Sequence, residues 1–96
     1  MKSIFDTVSR TCSKAVTNAY STSFSMATKM LAPSIRQDIY NIYGFVRLAD
    51  EIVDSFHDYD KEKLLDELTS ELYKAIDAKI SLNPILYAFQ ETVHKY

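Results

Sequence analysis

The chain contains few of the residues that interrupt helices or cross-link a fold. Among its 96 residues there are one glycine, two prolines, one cysteine and no tryptophan. An all-β fold needs turn residues about every 8–12 positions, so this shortage argues against strands and favours long helices with few connections. The lone Cys12 excludes an intrachain disulfide. We expect it to be a small buried or half-buried side chain in a protein of a reducing compartment such as the cytoplasm.

The sequence also lacks the signals of secretion, membrane insertion and nucleic-acid binding. No apolar run is long enough to cross a bilayer, and the first six residues have no signal-peptide core. A net charge of −2 gives no electrostatic reason to expect nucleic acid. Peripheral contact with a membrane stays open, because an enzyme that handles lipids meets its substrate there without an anchor.

Apolar residues at helical spacing cover almost the whole chain. The pattern predicts five helices, over about residues 4–20, 24–31, 34–56, 61–80 and 84–96. The hydroxyl run Ser21–Ser23 and either Asp58 or Asp60 are candidate N-caps between them. The fifth helix stops in mid-pattern, so we expect residues 1–96 to be the N-terminal portion of a larger all-α domain. In that case the apolar stripes of the third and fifth helices would lack the further helices that cover them.

The third predicted helix carries an apolar stripe and, beside it, a polar strip within about 60° on the helical wheel. The stripe comprises Ile35, Ile39, Ile42, Val46, Ala49 and Val53, and the polar strip comprises Tyr43, Arg47, Asp50 and Asp54. We expect the stripe to be buried, which would put both aspartates at the edge of the buried face. Two like charges there would be costly without a cation.

The aspartates of the polar strip have the spacing of a magnesium site. Asp50 and Asp54 are one helical turn apart, about 6 Å along the axis. Mg²⁺ takes oxygen ligands, commonly one or two carboxylates together with phosphate oxygens of a substrate. Arg47, one turn earlier, could hold a diphosphate oxygen by a charge-assisted hydrogen bond.

A surface salt bridge is the alternative interpretation of the same residues. With eight Asp in the chain, about 0.6 pairs at i, i+4 are expected by chance, so the spacing alone is weak. Asp54 and Asp58 form a second such pair. Arg47 could simply bridge Asp50 or Glu51 on a solvated face.

A longer string of motifs is far more specific than the aspartate pair. Ser21-Thr22-Ser23-Phe24 is followed by Arg36 and then by the run from Ile39 to Asp54. In order and spacing these segments resemble the Ser-x-Ser-Phe element, the Ile-Tyr-x-Phe-x-Arg run and the first Asp-x-x-x-Asp motif of the squalene/phytoene synthase family. The likeness is strongest over residues 20–60 and to bacterial phytoene synthases.

The resemblance implies an all-α isoprenoid synthase fold and a role for each matched residue. Asp50 and Asp54 match the carboxylates that bind Mg²⁺ together with substrate diphosphate, and Arg47 matches a diphosphate-contacting arginine. Tyr43 fits the aromatic wall near the reacting carbons. The family joins two prenyl diphosphates head to head, and here phytoene synthase is preferred over squalene or dehydrosqualene synthase. The predicted substrate-binding residues are Tyr20, Ser21, Ser23, Phe24 and Arg47.

The chain departs from the family in two ways that matter for function. Many members have His at the position of Tyr20 and Asp at that of Glu51. Members are also much longer, and their second aspartate-rich motif lies beyond the matched segment, so we expect this chain alone to be inactive. A non-catalytic helical assembly or binding module of the same fold is the alternative hypothesis. A third is a small α-helical domain that self-associates through exposed apolar helix faces.

Overall fold

The computed structural model describes residues 2–96, which form five α-helices and no strand. The all-α prediction is therefore confirmed. None of these helices has the combination of length and apolar character that a membrane span requires. The helices are α1 (Lys2–Tyr20), α2 (Thr22–Lys29), α3 (Pro33–Asp54), α4 (Lys61–Ala78) and α5 (Pro84–Lys95).

Side-chain caps set where most of these helices begin. Ser21 accepts a hydrogen bond from a backbone N–H of α2 at 3.1 Å, and Asp60 does the same for α4 at 3.1 Å. Asn83 caps α5, whose first residue is Pro84, and a proline costs nothing there because that N–H has no helical partner. The predictions of a cap at Ser21–Ser23 and at Asp60 are confirmed.

The apolar core lies where α3, α4 and α5 meet. Ile52, Leu68, Ala75 and Leu86 form its centre. Helix α5 packs against α1, α3 and α4, and Leu86 at its start is fully buried. The expectation that the fifth helix lacks partners is therefore wrong, because three other helices of the same chain enclose it.

Small and polar side chains, in contrast, make the contact between α1 and α3. Ser9, Ser13 and Thr17 are fully buried, while Ile4 and Val8 of the same helix are exposed. The two backbones approach so closely that a Cβ atom added to Gly44 would lie 3.2 Å from the Cβ of Ser13. Small side chains permit this approach, since larger ones would hold the helices apart.

The apolar stripe of α3 faces outward, so the expectation that it is the buried face is wrong. Its exposed members, Ile35, Ile42, Val46 and Val53, are here called the α3 apolar face. The buried side of α3 instead includes Asp38 and Asn41, whose polar groups are satisfied: Asn41 donates to Thr92, and Asp38 accepts from Lys95. The exposure of the stripe agrees with the prediction that it lacks a partner.

Candidate functional site

Asp50 and Asp54 occupy the last two turns of α3, where both are exposed. Neither is in an ion pair within residues 2–96. They lie next to the α3 apolar face and away from the buried side, so placing them at the edge of the buried face is wrong. Helix α3 ends at Asp54. Asp58 therefore belongs to the connection, and the second aspartate pair of the sequence does not share one helix.

Arg47 is held by two neighbours on different helices. Its Nη2 donates to Glu51 Oε2 at 2.8 Å, and its guanidinium lies over the ring of Tyr20, 4.7 Å from the centroid. The hydrogen bond to Glu51 raises the pKa of Arg47 and lowers that of Glu51. The Nε atom of Arg47 is buried and has no hydrogen-bond partner, so one donor of the guanidinium is still unsatisfied.

Two aromatic contacts connect α3 to the preceding helices. The rings of Phe24 and Tyr43 stack with their centroids 4.7 Å apart, which joins the start of α2 to the middle of α3. The ring of Tyr20, at the end of α1, lies against Arg47. Four of the predicted site residues thus make two pairwise contacts with α3, and Tyr43 and Arg47 are one turn apart on that helix.

The two predicted serines take different places from the aromatic residues. Ser21 uses its hydroxyl oxygen as the N-cap of α2. Ser23 is exposed, and its side chain makes no hydrogen bond within residues 2–96. The structure therefore assigns Ser21 a capping role and leaves Ser23 at the surface beside Phe24.

The carboxylates at the end of α3 could supply only part of the ligand shell of a magnesium ion. In the part of the chain that the structure describes, no group of three or more His, Cys, Asp or Glu side chains is close enough to hold a metal. Asp50 and Asp54 supply two carboxylates without competing cations. That number suits Mg²⁺, which commonly completes its shell with water and substrate phosphate oxygens.

Glu51 is an additional neighbour of Arg47 that was not among the predicted site residues. Its carboxylate accepts a hydrogen bond from the guanidinium. The sequence contains the signal for this contact, because Glu51 lies four residues after Arg47 on the same helix. Another unforeseen contact joins α1 to α2, where the Ser25 hydroxyl donates to Asn18.

Comparison with known proteins identifies the family of the chain. The family model described as squalene/phytoene synthase matches residues 17–96, a segment that contains every predicted site residue. No curated protein and no solved structure gives a match. Since the family model covers most of the sequence and the five helices agree with its all-α fold, the chain belongs to the squalene/phytoene synthase family of prenyltransferases.

Proposed function

We propose that this chain forms one wall of a prenyl diphosphate site in an enzyme that joins two such substrates head to head. Phytoene synthesis from two C20 diphosphates is preferred, and squalene or dehydrosqualene synthesis comes next. The observation that carries the proposal is the position of the polar strip along the exposed α3 apolar face. A prenyl diphosphate has the same two halves, an ionic head and a long apolar tail, and each half finds matching chemistry on α3.

In this proposal Asp50 and Asp54 hold Mg²⁺ together with the diphosphate. Both carboxylates are exposed and unpaired by any cation within residues 2–96, so they are available as ligands. A bound Mg²⁺ neutralises charge on the diphosphate and so favours its departure. The chain itself fixes the spacing of the two carboxylates, because a helical turn between them keeps both directed to one ligand.

Arg47 would bind the diphosphate by exchanging partners. In the structure its guanidinium is bound to Glu51 and supported by the ring of Tyr20. A diphosphate offers more negative charge and more acceptor oxygens than one carboxylate, so it can displace Glu51. The unsatisfied Nε of Arg47 provides a further donor once the side chain turns to the ligand.

The aromatic side chains would protect the reacting carbons. Loss of diphosphate leaves an allylic cation, which water would capture. Tyr43, one helical turn before Arg47, stacks on Phe24, and aromatic faces attract cations. An apolar wall also excludes water from the site.

The competing hypothesis is a non-catalytic helical module, and two observations favour it. The described residues contain no metal cluster of three or more ligands, and Arg47 makes the ordinary salt bridge to Glu51. In such a module Asp50 and Asp54 would be solvated surface residues without a ligand. The two hypotheses therefore differ in whether these carboxylates affect diphosphate binding.

Calorimetric titration with geranylgeranyl diphosphate, in the presence and absence of Mg²⁺, tests the proposal. We expect weak binding that requires Mg²⁺, and a loss of affinity of at least about tenfold in Asp50→Asn and Asp54→Asn, because each removes a metal ligand. The melting temperature should not fall, since both aspartates are exposed.

Asp66→Asn, at an exposed position of α4, is the matched control and should bind like the parent chain. Equal affinity of all four proteins would support the non-catalytic module. Tight Mg²⁺ binding without any diphosphate would show that the ligand set has been misjudged.

A further inference from the structure

A second charged feature lies towards the other end of α3, where α1, the end of α2 and the start of α3 form a crevice. Its volume is about 360 Å³, and three cations but no carboxylate line it. The Lys14 ammonium lies 5.9 Å from the centroid of the Tyr40 ring. This basic crevice is formed by Lys14, Lys29, Pro33, Arg36, Gln37 and Tyr40.

Within residues 2–96, the three cations of the basic crevice have no acidic partner. The ion pairs of these residues use Lys2, Arg10, Arg47 and Lys95 instead. The Arg36 side chain donates to the Leu31 carbonyl in the turn after α2, at 2.8 Å. The crevice therefore carries positive charge that no carboxylate of the described residues compensates, which favours an anionic ligand.

Exposed apolar side chains stand among these cations. Met30 is 88% exposed and lies in the turn that joins Lys29 to Pro33. Met26 and Leu31 are exposed as well. Exposed apolar side chains around the crevice would contribute nothing to the binding of a soluble phosphate ion. Apolar side chains between lysines and arginines are typical of proteins that lie in the interface of a bilayer.

We propose that this surface docks the protein onto an anionic phospholipid bilayer. The basic crevice would take phosphate headgroups, while Met26, Met30 and Leu31 would enter the boundary between headgroups and acyl chains. The complementary charge of the crevice selects anionic over zwitterionic lipid. A nucleic acid would satisfy the cations but would leave the apolar rim in water.

The carboxylates at the end of α3 do not oppose docking of the basic crevice onto an anionic bilayer. Fourteen residues separate Arg36 from Asp50 on the same helix, which corresponds to about 21 Å along the axis. That exceeds the Debye length of about 8 Å at physiological ionic strength, so the carboxylates at the end of α3 are screened from the bilayer. The docking surface and the proposed diphosphate site are thus separate and can be tested separately.

Flotation with lipid vesicles on a density gradient tests the docking surface, because protein aggregates stay at the bottom. We expect the chain to float with vesicles of phosphatidylcholine and phosphatidylglycerol, not with phosphatidylcholine alone, and to be released by high salt. Lys14→Glu/Lys29→Glu should lower the apparent affinity by at least about tenfold, since each basic residue near an anionic surface contributes about fivefold. Met30→Ser should lower it a few fold.

Matched variants elsewhere on the chain serve as controls. Lys63→Glu/Lys74→Glu makes the same charge change at two exposed positions of α4, and Leu82→Ser removes an apolar side chain that is 93% exposed. Neither should change flotation, and circular dichroism should show equal helix content in all variants. Asp50→Asn should float like the parent chain even where it loses diphosphate affinity.

Three outcomes would overturn the docking surface. One is equal loss of binding in the α4 control, which would indicate a net-charge effect. Another is flotation that does not depend on anionic lipid or does not occur. The third is release of the protein from the vesicles by low concentrations of inorganic phosphate at constant ionic strength, which would make the basic crevice a small-anion site.

Discussion

Arg47 makes two contacts in the structure, one with a carboxylate and one with an aromatic ring. Its Nη2 is hydrogen-bonded to Glu51 at 2.8 Å, and its guanidinium rests on the ring of Tyr20. The ring contact restricts the guanidinium without consuming its donors, whereas Glu51 uses one of them. Under the proposed function, Glu51 would therefore compete with the diphosphate for the donors of Arg47.

Replacing Glu51 by Gln should strengthen the binding of inorganic pyrophosphate about threefold in the presence of Mg²⁺. The neutral amide no longer holds the guanidinium by charge. The ion pair keeps some contact with solvent, with side chains 22% and 19% exposed, so its contribution is modest. The change is opposite in sign to that of Asp50→Asn and smaller in size. Calorimetric titration measures both variants under the same conditions.

Glu67→Gln, at an exposed position of α4, removes the same charge away from the site and should leave pyrophosphate affinity unchanged. If Glu51→Gln bound pyrophosphate more weakly than the parent chain, Glu51 would have to assist the ligand, and the exchange of partners at Arg47 would be wrong.

At the level of single residues, the sequence supplied candidate site residues but not their contacts. Spacing and the family motifs selected Tyr43, Arg47, Asp50 and Asp54. In the structure Tyr43 stacks on Phe24, and Arg47 contacts Tyr20 and Glu51. No sequence pattern decides between Glu51 and another anion as the partner of Arg47, because a flexible side chain can reach both.

Helix α3 has two apolar sides, and this explains where the prediction of its packing failed. One side carries Phe45, Leu48 and Ile52 towards the core, and the other is the exposed α3 apolar face. A periodic pattern reports that a side is apolar, not which partner covers it. Helix α1 packs through Ser9, Ser13 and Thr17, a polar stripe that hydrophobic periodicity does not register.

Gly44→Ala should destabilise the chain by about 1 kcal/mol, although alanine favours helices. The new Cβ would lie 3.2 Å from the Cβ and Oγ of Ser13 and 3.3 Å from its Cα. Overpacking of this kind costs about 1–3 kcal/mol, which exceeds the gain in helix propensity of about 1 kcal/mol. Denaturant unfolding followed by circular dichroism measures the difference.

A double-mutant cycle identifies Ser13 as the cause. Ser13→Gly removes two of the three close atoms, so Gly44→Ala should cost less in that background by about 1 kcal/mol. Ser70→Gly introduces the same glycine at an exposed position of α4 and should be additive with Gly44→Ala. If the effects of Ser13→Gly and Gly44→Ala on stability were also additive, α1 and α3 would have to move apart at little cost.

The start of α3 is fastened to the end of α5 through Asp38, and this contact should depend on pH. Burial raises the pKa of Asp38, but hydrogen bonds from Lys95 and Tyr96 outweigh it, so the pKa lies below its ordinary value. A carboxyl whose pKa is lowered by folding contributes stability above its unfolded pKa of about 3.9 and loses that contribution as the pH falls through the folded pKa.

Melting curves of the parent chain and Asp38→Asn between about pH 3 and 7 test this contact. The parent chain should be the more stable above about pH 5, and the difference should shrink steadily below about pH 4. Asp77→Asn, at an exposed position of α4, should show no such trend. A difference that stayed constant down to pH 3 would mean that the ionised carboxylate of Asp38 adds nothing to folding.

For the molecule as a whole, the fold class was predictable because every local signal agreed. Few glycines and prolines, apolar spacing near 3.6 and candidate caps at Ser21 and Asp60 all indicated helices with short connections. The arrangement of the helices was not predictable to the same degree. The burial of α5 depends on contacts with α1, α3 and α4, and none of these is encoded in its own sequence pattern.

The α3 apolar face leads to a prediction about the isolated chain. Ile42, Val46 and Val53 are each exposed by about two fifths or more, and they follow one another along one side of the helix. Contiguous apolar surface of this kind is uncommon on monomeric soluble proteins. We therefore expect the chain to dimerise or aggregate with increasing concentration, as measured by sedimentation velocity.

Val46→Ser/Val53→Ser should shift the chain towards the monomer without lowering its helix content, because both side chains lie outside the core. Leu82→Ser removes an isolated exposed side chain and should leave the association unchanged, since a single apolar residue gives little contact area. A parent chain that sediments as one monodisperse species and melts cooperatively as a monomer would show that the α3 apolar face is stable in water. The face would then need neither a second copy nor further helices to cover it, and the proposal that it forms the wall of an apolar substrate cavity would lose its physical basis.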